Sequence, residues 1–322
     1  MQNRLTIKDI ARLSGVGKST VSRVLNNEGH VSPQTRERVL AVIEQQSFLP
    51  SKSARAMRGQ SDKVVAIIVS RLDSPSENQA VRTMLPLLYE QGYDPIVMES
   101  KFSVQRVQEH LQVLHQRAAD GVILFGFTGL DEQILEGWRE KTVIVARQYQ
   151  GFSSVCYDDS GAVNLLLNQL YQQGHRHISY MGTHEADTTT GALRTQAYQE
   201  FCLHKRLEPV LTLGELTYHS GYELAPGILR ADTTAVICAS DSIALGVAKY
   251  LQQQQKNDIT LCGIGNNLLM RFLFPQALTV ELGYGRAGTE AVRLLMSQLH
   301  SAPSEQHIIV PCQLADPLPQ TV

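Results

Sequence analysis

The segment from Ala11 to Thr20, A-R-L-S-G-V-G-K-S-T, constrains the fold of the N-terminal part more than any other stretch. Val21, Val24 and Leu25 follow it with the spacing of the inward face of a helix. Gly15 supplies the positive φ that a tight turn between two helices requires. This pattern predicts a helix-turn-helix, whose second helix presents its N-terminal side chains to base edges in DNA.

The two predicted helices each have an inward and an outward face. In the first helix the inward face consists of Ile7, Ile10, Ala11 and Leu13. The side chains that we expect to contact DNA lie on the outward face of the second helix or beside it, and they are Thr6, Lys18, Ser19, Thr20, Ser22, Arg23 and Asn26.

The charge of the chain is divided unevenly. Residues 1–60 contain ten Lys and Arg against four Asp and Glu, a formal charge of +6. The whole chain has 29 basic and 31 acidic residues, so residues 61–322 have 19 against 27, a formal charge of −8. A basic head on an acidic body is typical of a nucleic-acid-binding module joined to a different module.

A third helix and a cationic hinge complete the predicted head. Ser32 and Pro33 have the residue types that favour the cap and the first position of a helix. Residues 51–59, S-K-S-A-R-A-M-R-G, are too short to hold a helix alone in water. In this hinge, Met57 either packs on the head or enters the minor groove as a wedge, with Arg55 beside a phosphate.

Beyond residue 61, apolar runs of strand length alternate with segments of helix length. The runs are 64–70, 121–126, 142–147, 177–182, 234–240 and 259–264. Buried runs separated in this way predict parallel sheets with crossover helices. About 260 residues is long for one sheet, so we expect two α/β lobes.

The head and hinge motifs resemble those of the lactose/galactose repressor family of bacterial regulators. The similar stretches are T-I-K-D-I-A-R-L-S-G-V, T-V-S-R-V-L-N, V-S-P-Q-T-R-E-R-V and F-L-P-S-K-S-A-R-A-M. The chain departs from the family at Gly17, where Ser is usual, and at Met57, where Leu is usual. Within the family the chain resembles the repressors of trehalose operons.

This resemblance implies a fold and its boundaries. It predicts a small all-α helix-turn-helix head over 1–60 and a two-lobed parallel-sheet effector domain over 61–322, similar to periplasmic binding proteins. The N-terminal lobe is expected over about 61–158 and 287–312. The C-terminal lobe is expected over about 159–286 and 313–322.

The ligand of an open parallel sheet lies outside the carboxyl ends of the strands, so the residues that follow each run are site candidates. Arg194 and Asp241 also match family positions that bind sugar hydroxyls. The predicted effector-binding residues are Arg71, Glu77, Gly126, Arg147, Asp187, Thr188, Thr190, Arg194, Asp241, Ser242 and Tyr284.

The mixture of charges in this set favours a phosphorylated sugar. Arginine forks bind phosphate oxygens through two parallel hydrogen bonds, and carboxylates such as Glu77 accept from sugar hydroxyls. We expect Arg71, Arg147 and also Arg194 at the phosphate, although the residues alone leave open which arginine meets which group. The resemblance implies trehalose 6-phosphate as the ligand.

Other chemistry receives little support. The five cysteines are scattered singly, and no nucleophile, phosphate-loop or zinc-protease motif is present, so we expect neither enzyme activity nor a metal or cofactor. Asp158 and Asp159 are adjacent, so their side chains would diverge on a strand and could not share a catalytic proton. Without a signal peptide or an apolar stretch of membrane length, the chain is expected to be cytoplasmic and to have no membrane partner.

The resulting interpretation is a homodimeric repressor of a sugar operon. Two heads bind a palindromic operator, and the sugar phosphate releases them. The tail contains no leucine heptads of the kind that build tetramers in relatives, which favours a dimer. Two alternatives stay open: a regulator of the same build with a purine corepressor, and a sugar-binding module without a regulatory role. The loop after the first strand offers no aromatic surface for a purine.

Overall fold

The computed structural model describes residues 5–25, 29–46, 48, 63–301 and 304–316. The chain divides into two compact units, Met1–Asp62 and Lys63–Val322. The predictions for Asn26 and for the hinge at 51–59, with Arg55 and Met57, lie outside the described residues. Within those residues, no helix is long and apolar enough to cross a membrane.

The first unit contains three helices: α1 at Ile7–Ser14, α2 at Lys18–Leu25 and α3 at Pro33–Gln45. Gly15 ends α1 with a φ of 66°, which confirms the predicted turn. The Ser32 side chain accepts from the Thr35 N–H and Pro33 is the first residue of α3, so the predicted cap is also confirmed.

The small core of this unit joins all three helices. Its buried apolar residues are Ile10, Ala11, Val21, Val24, Val39 and Phe48. The expectation that Leu13 faces inward is wrong, because 48% of its surface is exposed. Ser14 takes the inward place at the end of α1 and satisfies its hydroxyl on the carbonyl of Ile10 at 2.6 Å.

The second unit has two lobes, and the first lobe contains a six-stranded parallel sheet. Its strands β1 to β5 and β11 lie at Val64–Val69, Asp94–Glu99, Gly121–Phe125, Thr142–Val145, Ser153–Tyr157 and His307–Val310. Their order in the sheet is β11-β5-β4-β3-β1-β2. The helices α4, α5 and α11 and a 3-10 helix lie at Pro75–Glu90, Val104–Gln116, Tyr284–His300 and Glu132–Lys141.

The second lobe contains a six-stranded sheet in the order β12-β10-β9-β8-β6-β7, parallel except for β12. The strands β6 to β10 and β12 lie at Ile178–Thr183, Val210–Gly214, Ala235–Cys238, Thr260–Ile264, Leu278–Glu281 and Gln313–Leu314. The helices α6 to α10 lie at Asp159–Gln172, Arg194–Lys205, Tyr218–Ile228, Asp241–Gln253 and Leu268–Leu273, and a π-helix lies at Thr188–Leu193.

The chain passes between the lobes three times: between β5 and α6, between β10 and α11, and between β11 and β12. The rings of Tyr157 and Tyr284 meet edge to face with their centroids 5.0 Å apart, which joins the first two crossings. The crossings therefore bring residues of both lobes to one cleft.

The fold class predicted from the sequence is confirmed, since each predicted apolar run overlaps a strand. The inner strand β5 and the edge strands β2, β7, β11 and β12 were not among the predicted runs. The edge strands β2 and β7 are only partly buried, and polar residues interrupt their apolar pattern.

Candidate ligand site and nucleic-acid interface

A cavity of about 390 Å³ lies between the two lobes of the second unit. One wall consists of the segments that follow β1, β3 and β4, and the other wall follows β6 and β7. Most of the predicted effector residues line it: Arg71, Glu77, Gly126, Arg147, Asp187, Thr190, Arg194 and Tyr284. The structure thus brings the three predicted arginines to one cavity.

Two of these arginines belong to the first lobe. Arg71 follows β1, and its nearest acidic partner is the exposed Asp73, with 3.6 Å between Nε and Oδ1. Arg147 follows β4 and donates from Nη1 to the Thr128 hydroxyl at 2.6 Å. A Cβ at Gly126 would lie 3.1 Å from the Cβ of Arg147, so glycine leaves the space in which the Arg147 side chain is placed.

The third arginine, Arg194, is held in a buried ion pair. Its Nε and Nη2 donate to one oxygen of Asp159 at 2.8 and 2.6 Å, and its Nη1 donates to the Ala239 carbonyl. Both charged side chains are only 3% exposed. Because Asp159 neutralises the guanidinium, Arg194 is less suited than Arg71 or Arg147 to carry the charge of a phosphate.

Glu77 lies in the first turn of α4, below the end of β1. The Ser74 hydroxyl caps this helix, and a Glu77 carboxylate oxygen accepts from the Ser70 N–H at 2.7 Å. Burial raises the pKa of Glu77 to about 7, against the lowering effect of the backbone N–H groups and of Arg71. Glu77 can therefore either accept or donate a hydrogen bond near neutral pH.

The loop after β6 ends in the π-helix, and Asp187 caps it by accepting from the N–H and the hydroxyl of Thr189, both at 2.9 Å. Thr190 lines the cavity. Thr188 does not line the cavity, and its N–H donates instead to the Thr128 hydroxyl of the other lobe at 3.1 Å. The sequence interpretation assigned Thr188 to the effector and did not predict this hydrogen bond between the lobes.

Asp241 and Ser242 border a second cavity of about 40 Å³, which shares Arg71 and Tyr284 with the larger one. Asp241 is 2% exposed and accepts from the Asn267 N–H at 2.6 Å and the Thr279 hydroxyl at 2.8 Å. Burial raises its pKa to about 6. Through Asp241 these bonds tie the loop after β9 to β10. A contact between Asp241 and a sugar stays a prediction.

The outward face of α2 in the first unit is open to solvent. Lys18, Ser19 and Arg23 are exposed, while Thr20 and Ser22 are half-buried. Thr6 is exposed and also caps α1, since its N–H and hydroxyl donate to Asp9 at 2.9 and 2.6 Å. The face therefore offers two cations and several hydroxyl groups, a set suited to phosphates and base edges.

Comparison with known proteins adds a second line of observation. Residues 6–51 match the lacI family of bacterial regulatory proteins, and residues 167–316 match a periplasmic binding protein-like domain. Over 315 residues the chain is 58% identical to the HTH-type transcriptional regulator TreR of Escherichia coli (strain K12), covering 98% of this chain and 100% of that protein. The chain belongs to the lacI family.

Solved structures agree with this membership. The trehalose repressor from Escherichia coli superposes with a TM-score of 0.78 at 52% identity, covering 79% of this chain and 100% of that one. The lac repressor dimer bound to operator and an anti-inducer has a TM-score of 0.84 at 20% identity, covers 98% of each chain, and supports the fold alone. As a lacI-family member the chain is a DNA-binding transcription regulator and not an enzyme.

The main cavity also contains residues that the sequence interpretation missed. Phe102, Phe127, Tyr157 and Asp159 line the main cavity, as do several others. The loop after β1 carries no aromatic residue, as expected, but these other elements do supply aromatic surface. Tyr157 ends β5, but the serines of that strand interrupt the apolar pattern, so the sequence did not indicate a strand there.

Asp158 and Asp159 lie at the start of α6 and not on a strand, and they have separate partners. Asp158 caps α6 by accepting from the Gly161 N–H at 2.9 Å, while Asp159 pairs with Arg194. Within the described ranges, no group of three potential metal-ligating side chains occurs. Cys202, Cys238 and Cys262 are buried thiols, and Cys156 and Cys312 are half-buried.

Proposed function

We propose that this chain represses genes for the uptake and use of trehalose, and that trehalose 6-phosphate releases it from its operator. The similarity to the Escherichia coli trehalose repressor supports the sugar. The observation that supports a phosphorylated ligand is a single cavity lined by Arg71, Arg147 and Arg194 together with carboxylates. Its volume of about 390 Å³ is in the range of small-molecule sites.

The partners of the three arginines support a different role for each lobe. Arg71 and Arg147 take the phosphate, because among the described residues neither forms an ion pair with a buried carboxylate. Arg194 keeps Asp159 and directs a remaining N–H to a sugar hydroxyl. The side chains that hold the other hydroxyls are Glu77, Asp187, Thr190, Asp241, Ser242 and Tyr284.

The proposed repressor is a homodimer on a palindromic operator. Helix α10 supports this assembly, because Leu268, Leu269 and Phe272 are 69%, 57% and 77% exposed in the single chain. A second copy of the chain would remove such an apolar face from water. Effector binding favours the arrangement of the dimer that does not bind DNA.

Calorimetric titration of the full-length chain tests the ligand. We expect trehalose 6-phosphate to bind at least tenfold more tightly than neutral trehalose, because a charge-assisted hydrogen bond is worth about 1.5–3 kcal/mol. R71A should lose most of this preference while operator binding without ligand stays unchanged. Arg293, an exposed arginine paired with Glu290, provides the control variant R293A. Equal affinities for both sugars would refute the phosphate assignment.

A purine corepressor is the second candidate, since Phe102, Phe127 and Tyr157 supply aromatic surface for a base. A neutral purine would leave Arg71 and Arg147 without an anionic partner, so the arginines favour the sugar phosphate. Adding hypoxanthine to the same titration separates the two candidates. Tight hypoxanthine binding that strengthens operator binding would replace the trehalose proposal.

A further inference from the structure

Thr128 lies at the cleft mouth, where its hydroxyl joins three groups. The residue is exposed and lies in the turn that follows β3 in the first lobe, three positions after Phe125. Its Oγ1 accepts from Arg147 Nη1 at 2.6 Å and from the Thr188 N–H of the second lobe at 3.1 Å. The Oγ1 of Thr188 lies 3.3 Å away. One hydroxyl thus contacts a cavity-lining cation and the opposite lobe.

These contacts use the full capacity of a hydroxyl group. A threonine oxygen accepts two hydrogen bonds and donates one. Arg147 and the Thr188 N–H fill the two acceptor positions, and the hydroxyl hydrogen is available to the Thr188 oxygen. The Thr188 N–H is also the first N–H of the π-helix, a position that has no partner within its own helix.

Arg147 has a second support beside Thr128. Its guanidinium lies 5.8 Å from the centroid of the Tyr149 ring, and the Tyr149 hydroxyl donates to the Phe127 carbonyl at 2.8 Å. The Arg147 side chain is therefore held by both Tyr149 and Thr128, and Thr128 also bonds to Thr188 of the other lobe. The position of Arg147 and the closure of the cleft both depend on the Thr128 hydroxyl.

We propose that Thr128 is a positioning residue for Arg147 and a clasp that holds the two lobes together across the cleft. Its bond to Thr188 must break before the cavity opens at this side, so Thr128 controls how fast ligand enters and leaves. The Gln79 side chain makes a further bond between the lobes, to the Gly265 carbonyl at 3.2 Å, so loss of the clasp loosens the cleft without separating it.

Hydrogen exchange on the full-length chain without ligand tests the clasp directly. In T128V, which removes the hydroxyl at nearly constant shape, we expect the Thr188 amide to exchange about three- to tenfold faster, as loss of one hydrogen bond predicts. T128S retains the hydroxyl and should exchange like the original chain. Residues 235–238 of β8 should be unchanged in both, which would exclude a global loss of stability. An unchanged Thr188 amide in T128V would overturn the proposal.

Stopped-flow binding tests the control of ligand exchange, which rests on the proposed function. T128V should raise both the association and the dissociation rate of trehalose 6-phosphate several-fold, and T128S should restore them. Faster amide exchange with unchanged ligand rates would overturn the gating role. If trehalose 6-phosphate does not bind the original chain at all, the proposed function fails, and the exchange experiment still decides whether the clasp exists.

Discussion

At the scale of single residues, burial sets the charge of Glu77. Its folded pKa of about 7 lies above its ordinary value of 4.5, because the cavity wall removes the carboxylate from water. Ionising this carboxyl group therefore costs more in the folded chain than in the unfolded one. The folded chain accordingly holds a proton on Glu77 over a pH range in which the unfolded chain has released it.

This difference predicts how stability changes with pH. Relative to E77Q, the free energy of unfolding of the original chain should fall as pH rises from 4.5 to 7 and stay constant above that, by about 3 kcal/mol at most. Glutamine retains an acceptor for the Ser70 N–H, and Asp241 is present in both proteins, so its own titration cancels. Urea unfolding across this range provides the measurement. Parallel pH profiles would contradict the prediction.

The buried pair of Asp159 and Arg194 leads to a second prediction at this scale. D159A should destabilise the chain by about 3–5 kcal/mol, because it leaves an uncompensated guanidinium inside the protein. The exposed pair of Glu290 and Arg293 has a similar distance, and E290A should cost less than about 1 kcal/mol. Denaturant unfolding of both variants measures the contrast, and equal losses would show that burial does not decide the strength of the pair.

At the scale of elements, we expect α2 to read the DNA sequence. Arg23 is exposed on the face that is expected to meet base edges. R23A should weaken operator binding by about 1–3 kcal/mol and relax specificity at one base pair. Fluorescence anisotropy on operator and random DNA at two salt concentrations checks this. An equal loss on both DNAs would instead assign Arg23 to the phosphate backbone, with a smaller salt dependence of binding.

The sequence predicts where the strands of the sheets end. It does not predict which side chains the residues beyond those ends contact. Arg71 follows an apolar run, and Gly126 and Arg147 end two others. Parallel strands bring such positions to one edge, where the structure has them. The pairing of Asp159 with Arg194 joins the first residues of α6 and α7, which are 35 positions apart in the chain. No local pattern encodes that contact. The same holds for Thr188, whose partner Thr128 belongs to the other lobe.

At the scale of the whole molecule, the proposed function requires a coupling between effector and operator. A ligand shifts an equilibrium only by its difference in affinity for the two states. Because Arg71 and Arg147 belong to one lobe and Arg194 to the other, a bound sugar phosphate would select a particular spacing of the lobes. The sign of the coupling is then an observable property of the full-length protein.

Trehalose 6-phosphate should weaken operator binding by about 1–3 kcal/mol, or roughly 5–150-fold. Linkage requires operator DNA to weaken effector binding by the same factor, so two independent titrations must agree. R71A should abolish the effect in both titrations and leave the ligand-free operator affinity intact, whereas R293A should preserve all three values. If trehalose 6-phosphate tightened operator binding, the chain would be a regulator that uses its ligand as a corepressor, and the proposed release from DNA would be wrong.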